Sequence, residues 1–277
     1  DLDPDVREVV QCADDLWASS IAKFKRLQEL ADVEDDRVRG AFVFAGGSAT
    51  GRASSYGAQV HNFTRKTAKD PAGVRDDIVA GRAIVPVHGR RVTDVLKGML
   101  RPALIGNFTV ADWSAIEARV NPWMSGMGEE KLKQFSQDIY KINAAATFGC
   151  SVDDVTDDQR QIGKVQELSC GYAGGVGAFA AMGRAYGIHL SESDARRMVD
   201  AWRRNNQWAV RYWSELERAY TSAMHTPNAE FSAGRVTYLF DKQHLWYILP
   251  SGRVLCYPFA KLEEDGISYC KAAWKPA

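Results

Sequence analysis

The 277-residue chain reads as an α+β protein in which a helical block interrupts an antiparallel sheet. Three observations predict this. Two short apolar runs, 37–45 (RVRGAFVFA) and 103–111 (ALIGNFTVA), read as strands in the first part of the chain. Between about 115 and 225 the apolar residues recur at helical spacing. After Gly234 the runs RVTYLF, LWYIL, RVLCYPF and ISYC return to short, β-rich segments divided by turn residues. Strands, helices and strands in that order suit a helical subdomain inserted into a sheet, and the length allows one or two domains.

Each element has its own local warrant. Residues 5–31 carry an amphipathic pattern (Val6, Val9, Val10, Ala13, Leu16, Trp17, Ile21, Phe24, Leu27, Leu30) that predicts a helix. Gly46-Gly47 ends the first strand, and a loop-rich segment runs from Ser48 to about Gly89. The second strand feeds into Asp112. Ser114-Ala115-Ile116-Glu117 has capping-box spacing, so a helix is expected next, kinked or ended by Pro122. Residues 129–148 read as helical. Thr156-x-x-Gln159 is a second capping box, opening a helix that ends near Gly171, Gly174, Gly175 and Gly177. Further helices are expected at 191–205 and 207–225. Pro250-Ser251-Gly252 and Asp265-Gly266 mark turns in the tail.

Bulk charge says little: 35 basic and 35 acidic residues cancel. Its distribution is uneven. From Arg52 to Arg101 there are ten Lys/Arg against four Asp, whereas residues 1–40 hold eleven acids and six bases. A basic stretch in a neutral chain reads either as a polyanion contact or as a solvated face. Five cysteines without C-x-x-C spacing fit a reducing cytosol. No apolar run reaches the roughly 18 residues of a membrane span. Asp1-Leu2-Asp3-Pro4 is no targeting signal and lacks Met, so a fragment or processed product is expected.

Three constellations can carry chemistry. Asp112, at the expected end of a buried strand, could hold a hard cation such as Mg²⁺; alone it reads more readily as an ordinary helix-start Asp. Arg160, Lys164, Leu168 and Tyr172 follow at intervals of four and share one helical stripe. Two cations one turn apart suit a triphosphate, with an apolar and an aromatic residue beyond them for sugar and base. A plain solvent face answering Asp157 and Asp158 is the other reading. Gly163 and Gly171 count against it, because glycine costs about 1 kcal/mol in a helix and implies a close approach. Third, the loop Thr50-Gly51-Arg52-Ala53-Ser54-Ser55, with Gln59 and Asn62, offers Arg, hydroxyls and amides suited to phosphate and minor-groove contacts; for any single residue, a polar loop satisfying its own backbone is the readier reading.

In order and spacing these segments resemble the family A DNA polymerases, the DNA polymerase I group, and most closely their bacteriophage members. Asp112-Trp113-Ser114-Ala115-Ile116-Glu117-Ala118-Arg119 is similar to their motif A, and Arg160-x3-Lys164-x7-Tyr172 to their motif B. The Thr50–Asn62 segment resembles their primer–template loop, and Leu249-Pro250-Ser251-Gly252-Arg253 looks phage-like. The resemblance runs from about residue 20 onward. It implies a right-hand polymerase fold: the end of a thumb or a connecting helix in 1–36, palm with motif A in 37–120, fingers with motif B in 121–230, and a return to the palm in 231–277.

The resemblance also implies roles. Asp112 would bind two catalytic Mg²⁺ ions, with the Trp113 carbonyl as a further ligand. Arg160 and Lys164 would hold the triphosphate, Tyr140 would take the place of a phosphate-contacting His, and Leu168 would line the sugar. Glu117 would exclude a ribose 2′-OH, and Tyr172 would stack at the insertion site. Arg52, Ser54, Gln59 and Asn62 would touch primer–template DNA. The implied activity is deoxynucleotidyl transfer from dNTPs to a primer 3′-OH, in the cytoplasm of a phage-infected bacterium. Trp113, Ala115 and Leu168 depart from the usual Tyr, Gln and Phe or Tyr. The larger departure is the absence of a His-Asp-Glu hairpin, the family's second catalytic carboxylate; Glu263-Glu264-Asp265-Gly266 reads as a turn instead. The expectation is one piece of a split or truncated polymerase, completed by a C-terminal fragment. An inactive primer–template-binding remnant and a single-subunit RNA polymerase are the alternatives.

Overall fold

The structure is a computed structural model that describes residues 3–16, 19–88, 91–127, 129 and 133–270. Residues up to Val110 and from Ala111 onward form two compact units. The division falls inside the 37–120 segment that was expected to be continuous palm. Each unit mixes helices with antiparallel strands.

In the first unit the expected helix over 5–31 is present as α1 (Pro4–Leu16) and α2 (Ser19–Leu30); residues 17 and 18 lie outside the described residues. Phe24, Leu27 and Leu30 of α2 pack on buried Ala58, Phe63 and Leu100. The strand expected over 37–45 shrinks to β1 (Phe42–Val43), paired with β2 (Ser54–Ser55). Val38 makes only an isolated bridge to Ala31. The segment expected to be loop holds α3 (Pro71–Val79), whose N-terminus is capped by Asp70 accepting from Gly73 N–H at 3.0 Å, and α4 (Val85–His88). α5 (Val92–Met99) follows, and Val74, Ile84 and Val95 form the core beneath these helices. Gly98 is required there: a Cβ would stand 2.9 Å from the Ala68 nitrogen, which donates to the Gly98 carbonyl.

The strand expected over 103–111 is absent. Ile105, Phe108 and Val110 are 94%, 66% and 89% exposed, and no described strand pairs with them. Its β-branched and aromatic composition favours extended chain, but a strand forms only with a partner for its backbone groups. The basic surplus of this unit is partly answered locally: Arg75 pairs with Asp76, Arg82 with Asp77 and Arg91 with Asp94, while Arg101 donates to the carbonyls of Phe63 and Thr64.

The second unit opens with α6 (Ile116–Met124), which contains Pro122. The capping box expected from Ser114 is not formed. Ala115 is the N-cap, in left-handed conformation (φ 47°), with no side-chain cap. Of the helix expected over 129–148, α7 covers Ile139–Phe148; residues 134–136 form a 3₁₀ turn, and 128 and 130–132 lie outside the described residues. α7 starts at Asp138, whose carboxylate accepts from the Tyr140 and Lys141 N–H groups. α8 (Asp157–Cys170) starts at the Thr156/Gln159 capping box with both reciprocal hydrogen bonds made. After it come α9 (Val176–Ala185), α10 (Glu192–Asn205) and α11 (Gln207–His225).

α10 shows why these helices form where they do. Ser191 caps it, acids occupy its first turn and Arg203 and Arg204 its last, matching the helix dipole. Ala195, Val199 and Trp202 recur at i, i+4 and i+7 and are buried against Val165, Cys170, Phe179 and Trp208. Gln166 is buried yet satisfied, donating to the Met198 carbonyl at 2.8 Å and to Thr147 Oγ1 at 3.0 Å, which ties α8 to α10 and α7.

The tail is the predicted antiparallel meander, preceded by one strand that the sequence reading lacked. Its order is β3 (Glu230–Ala233), β4 (Val236–Asp241), β5 (His244–Ile248) and β6 (Val254–Pro258). Tyr238 faces Tyr247 and Leu239 faces Trp246 across β4 and β5. Tyr212, Ala219 and Ala223 of α11 pack on Val236, Tyr238 and Leu245 of the sheet. The tight turn at Gly234 (φ 53°) sits against Met124 and Ser125, so the end of α6 is fixed to the sheet; Arg235 N–H donates to the Met124 carbonyl at 2.8 Å. β7 (Lys261–Glu263) and β8 (Gly266–Ser268) form a separate hairpin, with Glu264-Asp265 as its turn as expected.

Candidate functional site

In the second unit α6, α7 and α8 converge on a narrow crevice. Glu117 and Asn121 line it from α6, Tyr140 from α7, and Glu167 and Leu168 from α8, with Gly171 and Tyr172 in the turn beyond. Four residues singled out in the sequence, Glu117, Tyr140, Leu168 and Tyr172, are thereby brought together from positions 55 residues apart. The expected helical stripe is cut short, however. α8 ends at Cys170, and Tyr172 lies in the following turn, 66% exposed. Extrapolating the α8 period past Gly171 fails because the chain leaves the helix there.

Both cations expected to hold phosphate lie over neighbouring rings. The Arg160 guanidinium is 5.5 Å from the Tyr140 ring centroid, and Lys164 Nζ is 4.6 Å from that of Tyr186. Arg160 Nε donates to Asp138 Oδ2 at 2.6 Å. Burial pushes the Asp138 carboxyl up, but the bonds from Arg160 and from the Tyr140 and Lys141 backbone outweigh it and hold the group below the ordinary carboxylate value. The Tyr140 phenol is shifted the other way, first by burial and then by the charges of Glu167, Glu117 and Asp138.

Gly163 has a different purpose from the one the sequence implied. A Cβ there would overlap the Tyr140 carbonyl oxygen and stand 3.1 Å from the Ala144 nitrogen. The glycine lets α7 and α8 pack closely; the close approach it serves is helix to helix. Gly171 is buried and its carbonyl accepts from Asn121 Nδ2 at 2.6 Å, which fastens the turn after α8 to α6.

Asp112 is not at the end of a buried strand. It is exposed, in a stretch without regular structure, and its carboxylate accepts from the Trp113 N–H at 2.9 Å. Trp113 is 77% exposed. Among the described residues no three His, Cys, Asp or Glu side chains cluster as a metal site. One carboxylate and one carbonyl do not make a two-ion donor set, so the described residues do not fit a complete two-ion site by themselves.

The expected nucleic-acid segment belongs to the first unit. Arg52 is exposed and Ser54 lies in β2. Gln59 takes a left-handed conformation (φ 52°), and its Oε1 accepts from Asn62 Nδ2 at 3.2 Å.

Three site residues escaped the sequence reading. Asn121 precedes a helical proline, and nothing in its surroundings marks it. Glu167 falls one position before Leu168 on the stripe, and its Oε2 accepts from Asn143 Nδ2 at 2.6 Å and Trp202 Nε1 at 3.2 Å. Asp138 carried a usable sign, an N-cap Asp directly before an apolar helical run.

Among the described residues, no helix is long and apolar enough to cross a membrane. No family model matches the chain. Over 273 residues it is 36% identical to a protein of Bacillus phage SP02 named DNA polymerase; the match covers 95% of this chain and 42% of that relative. Along nearly all of its length, the chain is therefore related to part of a phage DNA polymerase.

Proposed function

We propose that this chain supplies the nucleotide-binding part of a template-directed DNA polymerase. The observation that carries the reading is the crevice that joins Glu117, Tyr140, Leu168 and Tyr172, with Arg160 and Lys164 on the same helix as Leu168. The crevice is narrow, with about 10 Å³ of space inside it, far too little for a whole ligand, so a nucleotide meets it with its sugar edge and leaves its phosphates along α8. Glu117 and Tyr172 at the mouth favour a deoxyribose over a ribose, which speaks against an RNA polymerase.

In the reaction, a primer 3′-OH loses its proton and attacks the α-phosphorus of a dNTP. The bond to the bridging oxygen of the β-phosphate breaks, and pyrophosphate departs. Arg160 and Lys164 offset the charge that gathers on the departing phosphates. The two Mg²⁺ ions of such a site supply charge neutralisation when bound; Asp112 contributes one carboxylate toward them. We assign the second carboxylate to a C-terminal polymerase fragment that completes the site. Palm and fingers roles for the 37–120, 121–230 and 231–277 segments, and primer–template contacts at Arg52, Ser54, Gln59 and Asn62, belong to the same proposal. A non-catalytic primer–template-binding remnant is the second reading, favoured by the solitary Asp112.

The test is primer extension by this chain supplemented with the part of the phage SP02 polymerase outside the matched region. Extension that Asp112→Asn and Arg160→Ala abolish supports the polymerase reading. No extension, with primer–template binding intact, supports the remnant. Robust Mg²⁺-dependent extension by the chain alone would show that no completing carboxylate is needed.

A further inference from the structure

The Asp138 carboxylate performs two tasks with different oxygens. Oδ1 caps α7, accepting from the Tyr140 N–H at 3.0 Å and the Lys141 N–H at 3.4 Å. Oδ2 accepts from Arg160 Nε at 2.6 Å. The carboxylate is thus fixed to the first turn of α7 before it engages Arg160, and it engages that side chain at the inner nitrogen. The two terminal nitrogens of the guanidinium, which form the outer edge of the fork, are left to a second acceptor. The Tyr140 ring lies against the guanidinium from the same helix turn.

We propose that Asp138 is the positioning residue for Arg160, holding its guanidinium over Tyr140 with the terminal nitrogens presented to the phosphates of the incoming nucleotide. The inference rests on the nucleotide-site reading and adds to it the residue that orders the phosphate grip. A long, rotamer-rich side chain that is already ordered loses less freedom when it binds, which corresponds to roughly a three- to tenfold gain in affinity. A carboxylate that merely sequestered Arg160 would occupy the terminal nitrogens, and removing it would tighten binding.

Asparagine separates the two tasks. As an N-cap it equals aspartate, so Asp138→Asn keeps α7 capped. Its amide cannot reproduce the charged acceptor at Arg160. The experiment measures binding of dATP and of dAMP, each with Mg²⁺, to the full chain and to Asp138→Asn, Asp138→Ala, Arg160→Ala and the Asp138→Asn/Arg160→Ala double variant. The expected result for Asp138→Asn is a melting temperature between those of the unaltered chain and Asp138→Ala, because the cap is kept and the ion pair is lost, with dATP binding about three- to tenfold weaker and dAMP binding unaltered. In the double variant no loss appears beyond that of Arg160→Ala. Asp138→Ala, which also loses the cap, melts lower. If Arg160→Ala weakens dATP binding while Asp138→Asn binds as the unaltered chain does, or more tightly, the positioning role is overturned and the nucleotide site stands. If the unaltered chain binds no dATP, the nucleotide-site reading falls and the positioning role falls with it.

Discussion

Gly163→Ala puts the geometry of the site under direct load. In a solvent-facing helix this change stabilises by about 1 kcal/mol through helix propensity. Here the new methyl would overlap the Tyr140 carbonyl oxygen and press on the Ala144 nitrogen and Cβ at 3.1 and 3.2 Å. Backbone atoms inside α7 cannot rotate away as a flexible side chain can, so the two helices must separate. An overlap with backbone falls in the upper part of the overpacking range, about 2–3 kcal/mol, which exceeds the propensity gain and leaves a net loss of about 1–2 kcal/mol. At roughly 2–4 °C per kcal/mol for a unit of this size, the melting temperature falls by about 2–8 °C. The separation also moves Tyr140 away from Arg160, so nucleotide affinity drops with it. Gly177 in α9 is the internal control, because nothing lies within 4 Å of its added Cβ; Gly177→Ala is expected to be neutral or to stabilise by up to about 1 kcal/mol. Thermal melting of both variants is the assay. A Gly163→Ala chain that melts at or above the unaltered one refutes the packing account. Unchanged melting with lost nucleotide binding would return the space beside Gly163 to a ligand.

Other consequences are simpler. Phe179, 1% exposed in the core with Trp202, is expected to cost about 3–5 kcal/mol on substitution by Ala, read by urea unfolding. Burial pushes the Cys170 thiol up to about 11, so iodoacetamide at pH 8 should label exposed Cys12, Cys256 and Cys270 and spare Cys170 until the protein unfolds. Asp77, held down by hydrogen bonds from His88 and Arg82, and Asp138 both titrate below the ordinary 3.8 when folded. Their contributions to stability are whole above pH 3.8 and are lost as pH falls through the lower folded values. An acid unfolding scan should therefore show a stability loss below about pH 4 that an Asp77→Asn/Asp138→Asn chain has in smaller measure.

Where local chemistry sufficed, the fold was legible. The Thr156/Gln159 box located the start of α8, the helix expected over 191–205 is α10 within a residue, and the short β-rich runs between turn signals located the meander. Failures came where a long-range partner decides. Residues 103–111 have strand composition, but no described strand offers them an edge, and Ile105 and Val110 stand in solvent. The glycines at 174, 175 and 177 read as breakers, yet Gly175 is the N-cap of α9 and Gly177 lies inside it. At the site, the Arg160–Lys164–Leu168 spacing is a local property and was readable. That Asp138 holds Arg160 across 22 positions, that Asn121 fastens Gly171, and that Gly163 answers to Tyr140 depend on how three helices meet, and no spacing reveals them.

The central claim is that the crevice between α6, α7 and α8 receives a deoxynucleotide with its phosphates on Arg160 and Lys164. Photo-labelling the chain with an azido-dATP analogue, followed by peptide mapping, tests it most directly. The account predicts adducts confined to the 115–124, 139–148 and 160–186 stretches, competed away by excess dATP and absent from an Arg160→Ala/Lys164→Ala chain. Adducts mapping to the first unit, or labelling that the double substitution leaves intact, would contradict it.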